Sequence, residues 1–178
     1  VKEIMLIAQE LTYYGLDLYK ERALPKLLDA LADVKGIEWI RLHYAYPSKF
    51  PLEILEVMQR RDNICKYLDM PLQHASNSML KAMRRNITRE EMSELIHQIK
   101  AAVPGICLRT TLIAGFPGET EEDVEELKAF LQEHRFDRVG IFSYSHEENT
   151  TAYDLVDNVP ADVKAARAQE IMEVQQEK

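Results

Sequence analysis

Five short apolar stretches punctuate the chain, each rich in β-branched or aromatic residues: Ile4–Ala8, Trp39–His43, Tyr67–Met70, Ile106–Ala114 and Arg138–Tyr144. Their length and composition predict strands, and the near-continuous apolar runs among them fit a parallel sheet covered on both faces. Helical spacing fills the gaps. Leu24, Leu27, Leu28 and Leu31 form one stripe, with Pro25 tolerated in the first turn. Leu52, Leu55 and Met58 form a second, Met79, Leu80 and Met83 a third, and Met92, Leu95, Ile96 and Ile99 a fourth. Val124, Leu127, Phe130 and Leu131 make a fifth. Methionine-bearing stripes at this spacing read as core, because the flexible thioether fills gaps. A last helix is predicted from Val163 to Lys178, its packed side formed by Val163, Ala166, Ile171 and Val174.

Strand starts near residues 4, 39, 67, 106 and 138 lie 35, 28, 39 and 32 positions apart. That is the span of a βα unit, and no sequence repeat accompanies it. Right-handed βα alternation yields either an open doubly wound sheet or a (β/α) barrel, and both gather ligands at the carboxyl ends of the strands. Those ends are polar or aromatic: Gln9-Glu10, His43-Tyr44, Gln73-His74, Gly115-Phe116-Pro117-Gly118-Glu119-Thr120 and Ser143-Tyr144-Ser145-His146. A rim so furnished suits a small-molecule site.

Thr120 and Asp123 match a helix-capping pattern, and Glu121, Glu122 and Asp123 repel the anion that a bare helix start attracts. Neither GxGxxG nor a P-loop occurs. Glu10 and the Glu147–Glu148 pair are acid–base candidates weighed against plain loop carboxylates. His43, His74 and His146 stand at strand ends without metal-ligand spacing, and no protein metal site is expected from them; His97 and His134 fall in helices, exposed or half-buried. Lys81, Arg84, Arg85 and Arg89 read as a solvated basic face.

Composition narrows the picture. The 178 residues are 46% hydrophobic and 29% charged, an ordinary globular balance that fits a single domain over 1–178. A net charge of −8 excludes a general nucleic-acid coat, which needs a basic surface. No apolar run reaches the roughly 18 residues of a membrane span, and no signal peptide stands out. Cys65 and Cys107, 42 positions apart, form neither a disulfide framework nor a redox motif and are expected to be buried thiols of a cytoplasmic protein. The chain opens on Val1 beside a strand and closes in a helix without a terminating glycine, so both ends read as cuts inside a longer protein.

The strand-end sequences, taken in order, resemble the central radical domain of the radical S-adenosylmethionine methylthiotransferases. The resemblance covers essentially the whole chain. It rests on Leu6-Ile7-Ala8-Gln9-Glu10 with Tyr14-Gly15, Arg41-Leu42-His43-Tyr44-Ala45-Tyr46-Pro47, and Tyr67-Leu68-Asp69-Met70-Pro71-Leu72-Gln73-His74-Ala75-Ser76 with Leu80-Lys81-Ala82-Met83-Arg84-Arg85. Arg109-Thr110-Thr111-Leu112-Ile113-Ala114-Gly115-Phe116-Pro117-Gly118-Glu119-Thr120 and Phe142-Ser143-Tyr144-Ser145 complete it. Pro71-Leu72-Gln73-His74 looks like the branch that adds a methylthio group to the β-carbon of an aspartate in a small-subunit ribosomal protein. The tRNA-modifying branches typically carry Ser-Gly-Ser after Pro-x-Gln.

The resemblance implies an α/β fold, a partial (β/α) barrel of six parallel strands of which five are present. It implies S-adenosylmethionine and a 4Fe-4S cluster in the parent protein, the unique iron chelating the cofactor's methionine amine and carboxylate. One electron from an electron donor then yields a 5′-deoxyadenosyl radical that abstracts hydrogen. By position, Gln9 and Glu10 would meet the methionine portion, Gln73 and Arg109 the ribose and carboxylate, Ile113 to Gly115 the adenine, and Phe142 and Ser143 would add apolar surface and backbone bonds. The family's CxxxCxxC loop has no counterpart here, so the first strand and cluster loop are expected to be missing, no cluster is expected on this fragment, and the fragment alone is expected to be inactive. The expected partner is a ribosomal protein of the small subunit, with no membrane and with nucleic acid only if the tRNA-modifying reading holds. Two other classes stay open: a (β/α) barrel lyase or hydrolase using Glu10, His43 and His74, and a non-catalytic scaffold whose rim binds a protein.

Overall fold

The computed structural model describes residues 1–177. Five strands, β1 (Glu3–Leu6), β2 (Trp39–Leu42), β3 (Ile64–Asp69), β4 (Cys107–Ala114) and β5 (Arg138–Ser143), lie in one sheet in sequential order. β1 to β4 pair in parallel, with Met5 opposite Arg41, Tyr67 opposite Cys107 and Asp69 opposite Arg109. At the far edge the Tyr144 N–H donates to the Ala114 carbonyl at 2.8 Å. Six helices occupy the crossovers and the end of the chain: α1 (Leu24–Ala32), α2 (Glu53–Arg60), α3 (Asn77–Ala82), α4 (Arg89–Ala102), α5 (Glu121–His134) and α6 (Ala161–Gln176). The predicted strands and helices are thus all present, with edges shifted by a few residues. The largest shift is β3, which starts three residues before its predicted start at Tyr67 and so takes in Cys65.

The chain divides into two compact units. One comprises 1–71 with 94–109, and the other 72–93 with 110 onward. In the first, Leu24, Leu28, Ile40, Ile54, Met58 and Leu68 are almost wholly withdrawn from water. α2 buries Ile54, Leu55, Val57 and Met58, whereas Leu52 precedes the helix and is exposed. In the second unit Leu80, Met92, Leu112, Leu127, Phe130 and Phe136 form the core.

Two expectations need correction. Both thiols are half-buried: Cys107 stands on the half-exposed side of β4, and Cys65 shares its side of β3 with half-buried Tyr67. On α6 the packed side is Lys164, Arg167 and Ile171, while Ala166 faces water. Arg167 goes inward because a buried acid awaits it: its Nη1 donates to Oε2 and the carbonyl oxygen of Glu119, each at 3.0 Å. Its Nη2 reaches Glu121 Oε1 at 2.9 Å. Burial works against the charge of Arg167, but Glu121 and Glu119 more than offset it and the guanidinium is held more firmly protonated.

Candidate functional site

Alternation along the strands separates two kinds of face. Leu108, Thr110, Leu112 and Ala114 of β4 are buried, and Cys107, Arg109, Thr111 and Ile113 between them are half-exposed. β2 does the same with buried Ile40 and Leu42 against half-buried Arg41 and His43. A period of two puts each set on one side of the sheet. In the first unit, the less covered side carries a connected run of charged and aromatic groups across four strands.

The run begins at β1, where Glu3 Oε1 accepts from Arg41 Nε at 2.9 Å, a bond that raises the pKa of Arg41. The Arg41 guanidinium lies 5.0 Å from the centre of the Tyr67 ring, in cation–π range. Tyr67 sits 5.7 Å from the His43 ring. Burial and the charge of Asp69 push the Tyr67 phenol up, so it stays a neutral donor. His43 Nδ1 stands 3.5 Å from Asp69 Oδ2, and Arg109 Nη1 donates to Asp69 Oδ1 at 2.8 Å. Asp69 is 1% exposed, so the pair anchors Arg109 from beneath while its guanidinium stays about a third accessible. His43 Nε2 is buried and makes no hydrogen bond among the described residues.

Glu10 has a different use. Its Oε1 accepts from Thr12 N at 2.9 Å, Thr12 Oγ1 at 2.7 Å and Tyr46 N at 3.3 Å. The carboxylate thereby closes the 3₁₀ turn Leu11–Tyr13 and ties it to the segment after β2. Its neighbour Gln9 is exposed.

In the second unit Gln73 adopts φ +74°, its N–H donating to the Thr111 carbonyl and its carbonyl accepting from Ile113 N, each at 2.9 Å. Its side-chain amide makes no bond among the described residues. Gly115, at φ +77°, has a structural cause: a Cβ there would meet Cγ of Lys164 at 2.2 Å. Its N–H donates to Glu119 Oε2 at 2.8 Å. Phe142 is 60% exposed and Ser143 is exposed beside it. Tyr144 packs edge-on to Phe116 at 5.1 Å, with Lys164 Nζ 5.0 Å from its ring centre.

The histidines have separate partners. His74 is fully buried, its Nδ1 accepting from Ser76 N at 3.0 Å and its Nε2 3.3 Å from Glu119 Oε1. His146 stacks on Tyr153 at 4.6 Å. His134, expected exposed or half-buried, is 2% exposed: its ring lies 4.3 Å from Phe130 and its Nε2 pairs with Ser93 Oγ at 2.8 Å. Lys81 and Arg84 are exposed, and Arg89 pairs with Glu126 and Glu133.

Sequence reasoning missed Asp69, Arg41 and Tyr67 as site residues. The available signal was an acid inside the predicted apolar stretch Tyr67–Met70, since a carboxylate is rarely buried without a partner.

The residues present divide on the groups that the resemblance implies. Among the described residues no cluster of three His, Cys, Asp or Glu side chains is arranged to hold a metal ion. Cys65 and Cys107 lie inside β3 and β4, so these residues do not fit an iron–sulfur cluster. A nucleoside cofactor fits better, because Gln73 offers an unengaged amide and Phe142 an exposed ring.

The family model described as the radical SAM superfamily matches residues 1–131. Ribosomal protein uS12 methylthiotransferase RimO of Flavobacterium psychrophilum is 63% identical over 98% of this chain, which covers 40% of that protein. The protein of the same name from Bacteroides thetaiotaomicron is 56% identical over 99% of this chain and 41% of its own length. The chain therefore spans about two fifths of the curated relatives it matches. Among solved structures, coproporphyrinogen III oxidase from Escherichia coli, described as a radical SAM enzyme, superposes with a TM-score of 0.68 at 18% identity, over 85% of this chain and 36% of that one. Elp3 of Methanocaldococcus infernus gives 0.66 at 14% identity, over 95% and 44%. These two likenesses speak to the fold.

Proposed function

This chain belongs to the radical SAM superfamily, and from that premise we propose that it is the central part of a methylthiotransferase acting on an aspartate of ribosomal protein uS12. The observation that carries the reading is identity of 55–64% across nearly the whole chain to proteins of that name. The whole enzyme binds S-adenosylmethionine and a 4Fe-4S cluster, and the cysteines for the cluster belong to a segment outside this chain. When bound, the cofactor supplies hydrogen-atom abstraction from a carbon whose C–H bond resists acid–base chemistry.

This chain's residues orient and shelter. Gln73, Ile113, Gly115, Phe142 and Ser143, all of the second unit, face the cofactor at the ends of their strands or on the less covered faces. In the first unit Gln9 stands beside Glu10, which holds the backbone of Thr12 and Tyr46 in place. The Gln73 amide and the Phe142 ring are the surfaces the chain offers to orient the cofactor and keep water away. An electron donor completes the system, and the enzyme works in the cytoplasm; no helix among the described residues is long and apolar enough to cross a membrane.

The test is an anaerobic assay of the full-length protein, reconstituted with iron and sulfide, offering uS12 and tRNA side by side. The reading expects uS12 to gain the mass of a methylthio group less one hydrogen, on an aspartate and only with S-adenosylmethionine and reductant. Modification of tRNA with uS12 untouched would overturn it, as would activity that needs neither iron nor reductant.

A further inference from the structure

We propose that His43 and Arg109, held together by Asp69, form a carboxylate-recognition site that receives the side chain of the substrate aspartate. The inference rests on the methylthiotransferase reading and deepens it.

The geometry starts at Asp69. Arg109 occupies its Oδ1 and His43 stands at its Oδ2, so one buried carboxylate fixes two basic side chains from adjoining strands. The register places Arg109 directly opposite Asp69. Arg109 spends only Nη1 on this bond, and among the described residues its Nε and Nη2 make none. A guanidinium tied down by one nitrogen and open on the others is preorganised for a second, incoming carboxylate. His43 adds a ring nitrogen, Nε2, that is buried and has no partner. A buried polar atom left unpaired costs free energy that an incoming group can recover. Arg41 and Tyr67 wall the cluster, and Arg41 is already neutralised by Glu3. Arg109 lies beside them, its partner Asp69 buried and its own guanidinium about a third accessible.

The donors give the ligand class: the Nε and Nη2 edge of Arg109, open among the described residues, matches the two oxygens of one carboxylate, and His43 Nε2 lies in the same cluster. Two carboxylates belong to the proposed reaction. That of the cofactor's methionine is, in this family, chelated by iron, which leaves the aspartyl group of the substrate for the protein's side chains. A site built to pair an acid rejects its amide, because the basic groups are then left desolvated and unmatched.

The experiment measures binding by the full-length protein without turnover. Two fluorescent peptides from the substrate loop are compared by anisotropy, one with the target aspartate and one with asparagine there. Affinity for S-adenosylmethionine is followed in parallel by calorimetry. The wild-type protein is expected to prefer the aspartate peptide by roughly tenfold to a hundredfold, the range of one or two charge-assisted hydrogen bonds. Arg109→Gln and His43→Gln should each erase most of that preference and leave cofactor affinity within about twofold. Asp69→Asn should do the same through Arg109, as expected of a positioning residue; Arg109→Lys, charged but unforked, should restore only part. Retained cofactor affinity certifies folding in each variant. The inference is overturned if Arg109→Gln keeps the peptide preference, or if it weakens cofactor binding and leaves peptides unaffected. If the wild-type protein binds neither peptide, the substrate reading falls with it; if it prefers aspartate and the variants do too, this inference alone fails.

Discussion

Asp123 closes the turn that leads into α5. Its Oδ2 accepts from Thr120 N at 2.8 Å and Thr120 Oγ1 at 2.7 Å, while its own N–H donates to Thr120 Oγ1, a reciprocal capping box. Its Oδ1 accepts from Ser76 Oγ and Ser78 Oγ, which ties the start of α3 to the start of α5. Burial alone would raise the pKa of this carboxyl; the bonds from Ser76, Ser78 and Thr120 outweigh it and hold the group at about 2. A carboxyl whose folded pKa lies below its unfolded one stabilises the fold above the unfolded value, and the gain fades as pH falls toward the folded one. The stabilisation by Asp123 is therefore complete above about pH 5 and lost on descending toward pH 2. Asp123→Asn should lower the urea midpoint at pH 7, and the gap to wild type should close as acid is added. A gap independent of pH would show that shape, not charge, matters at this turn.

At the scale of elements, α6 is joined to the β4–α5 turn by a buried acid–base pair. Glu119 is 5% exposed and Arg167 7% exposed, and Lys164 of α6 approaches closely enough that Gly115 has no room for a side chain. Removing one partner leaves the other charged and unmatched, so Arg167→Met should cost about 3–5 kcal/mol. Adding Glu119→Leu to it should recover much of the loss, read by thermal melting of both variants. If the single variant melts like wild type, the pair is dispensable. This contact also marks where the sequence ran short. Short apolar runs located all five strands and the 3.6 spacing all six α-helices, though not the 3₁₀ turn Leu11–Tyr13, and Thr120 with Asp123 announced the capping box. Helical spacing alone, however, favoured Val163 and Ala166 for burial, because it ranks residues by apolarity. Lys164 and Arg167 are packed by partners distant in the chain, Tyr144 and Glu119, which no local pattern reveals. His134 was misplaced in part for the same reason: Ser93, 41 positions back, pairs with its Nε2. Glu10 was legible as an acid at a strand end, yet its work as a cap depends on Tyr46, 36 positions on.

At the scale of the molecule, one sheet of five strands carries the sequence-singled residues at or near strand ends or on the half-exposed faces. The central proposal is that the strand-end positions of the second unit meet one cofactor. Hydrogen–deuterium exchange on the full-length protein, with and without S-adenosylmethionine, tests that most directly. Binding at one site should slow exchange together in the segments holding Gln73, Ile113–Gly115 and Phe142–Ser143, while the helix surfaces of α1 and α2 stay unchanged. Protection confined to a single one of those segments, or found only on the helices, would contradict the account.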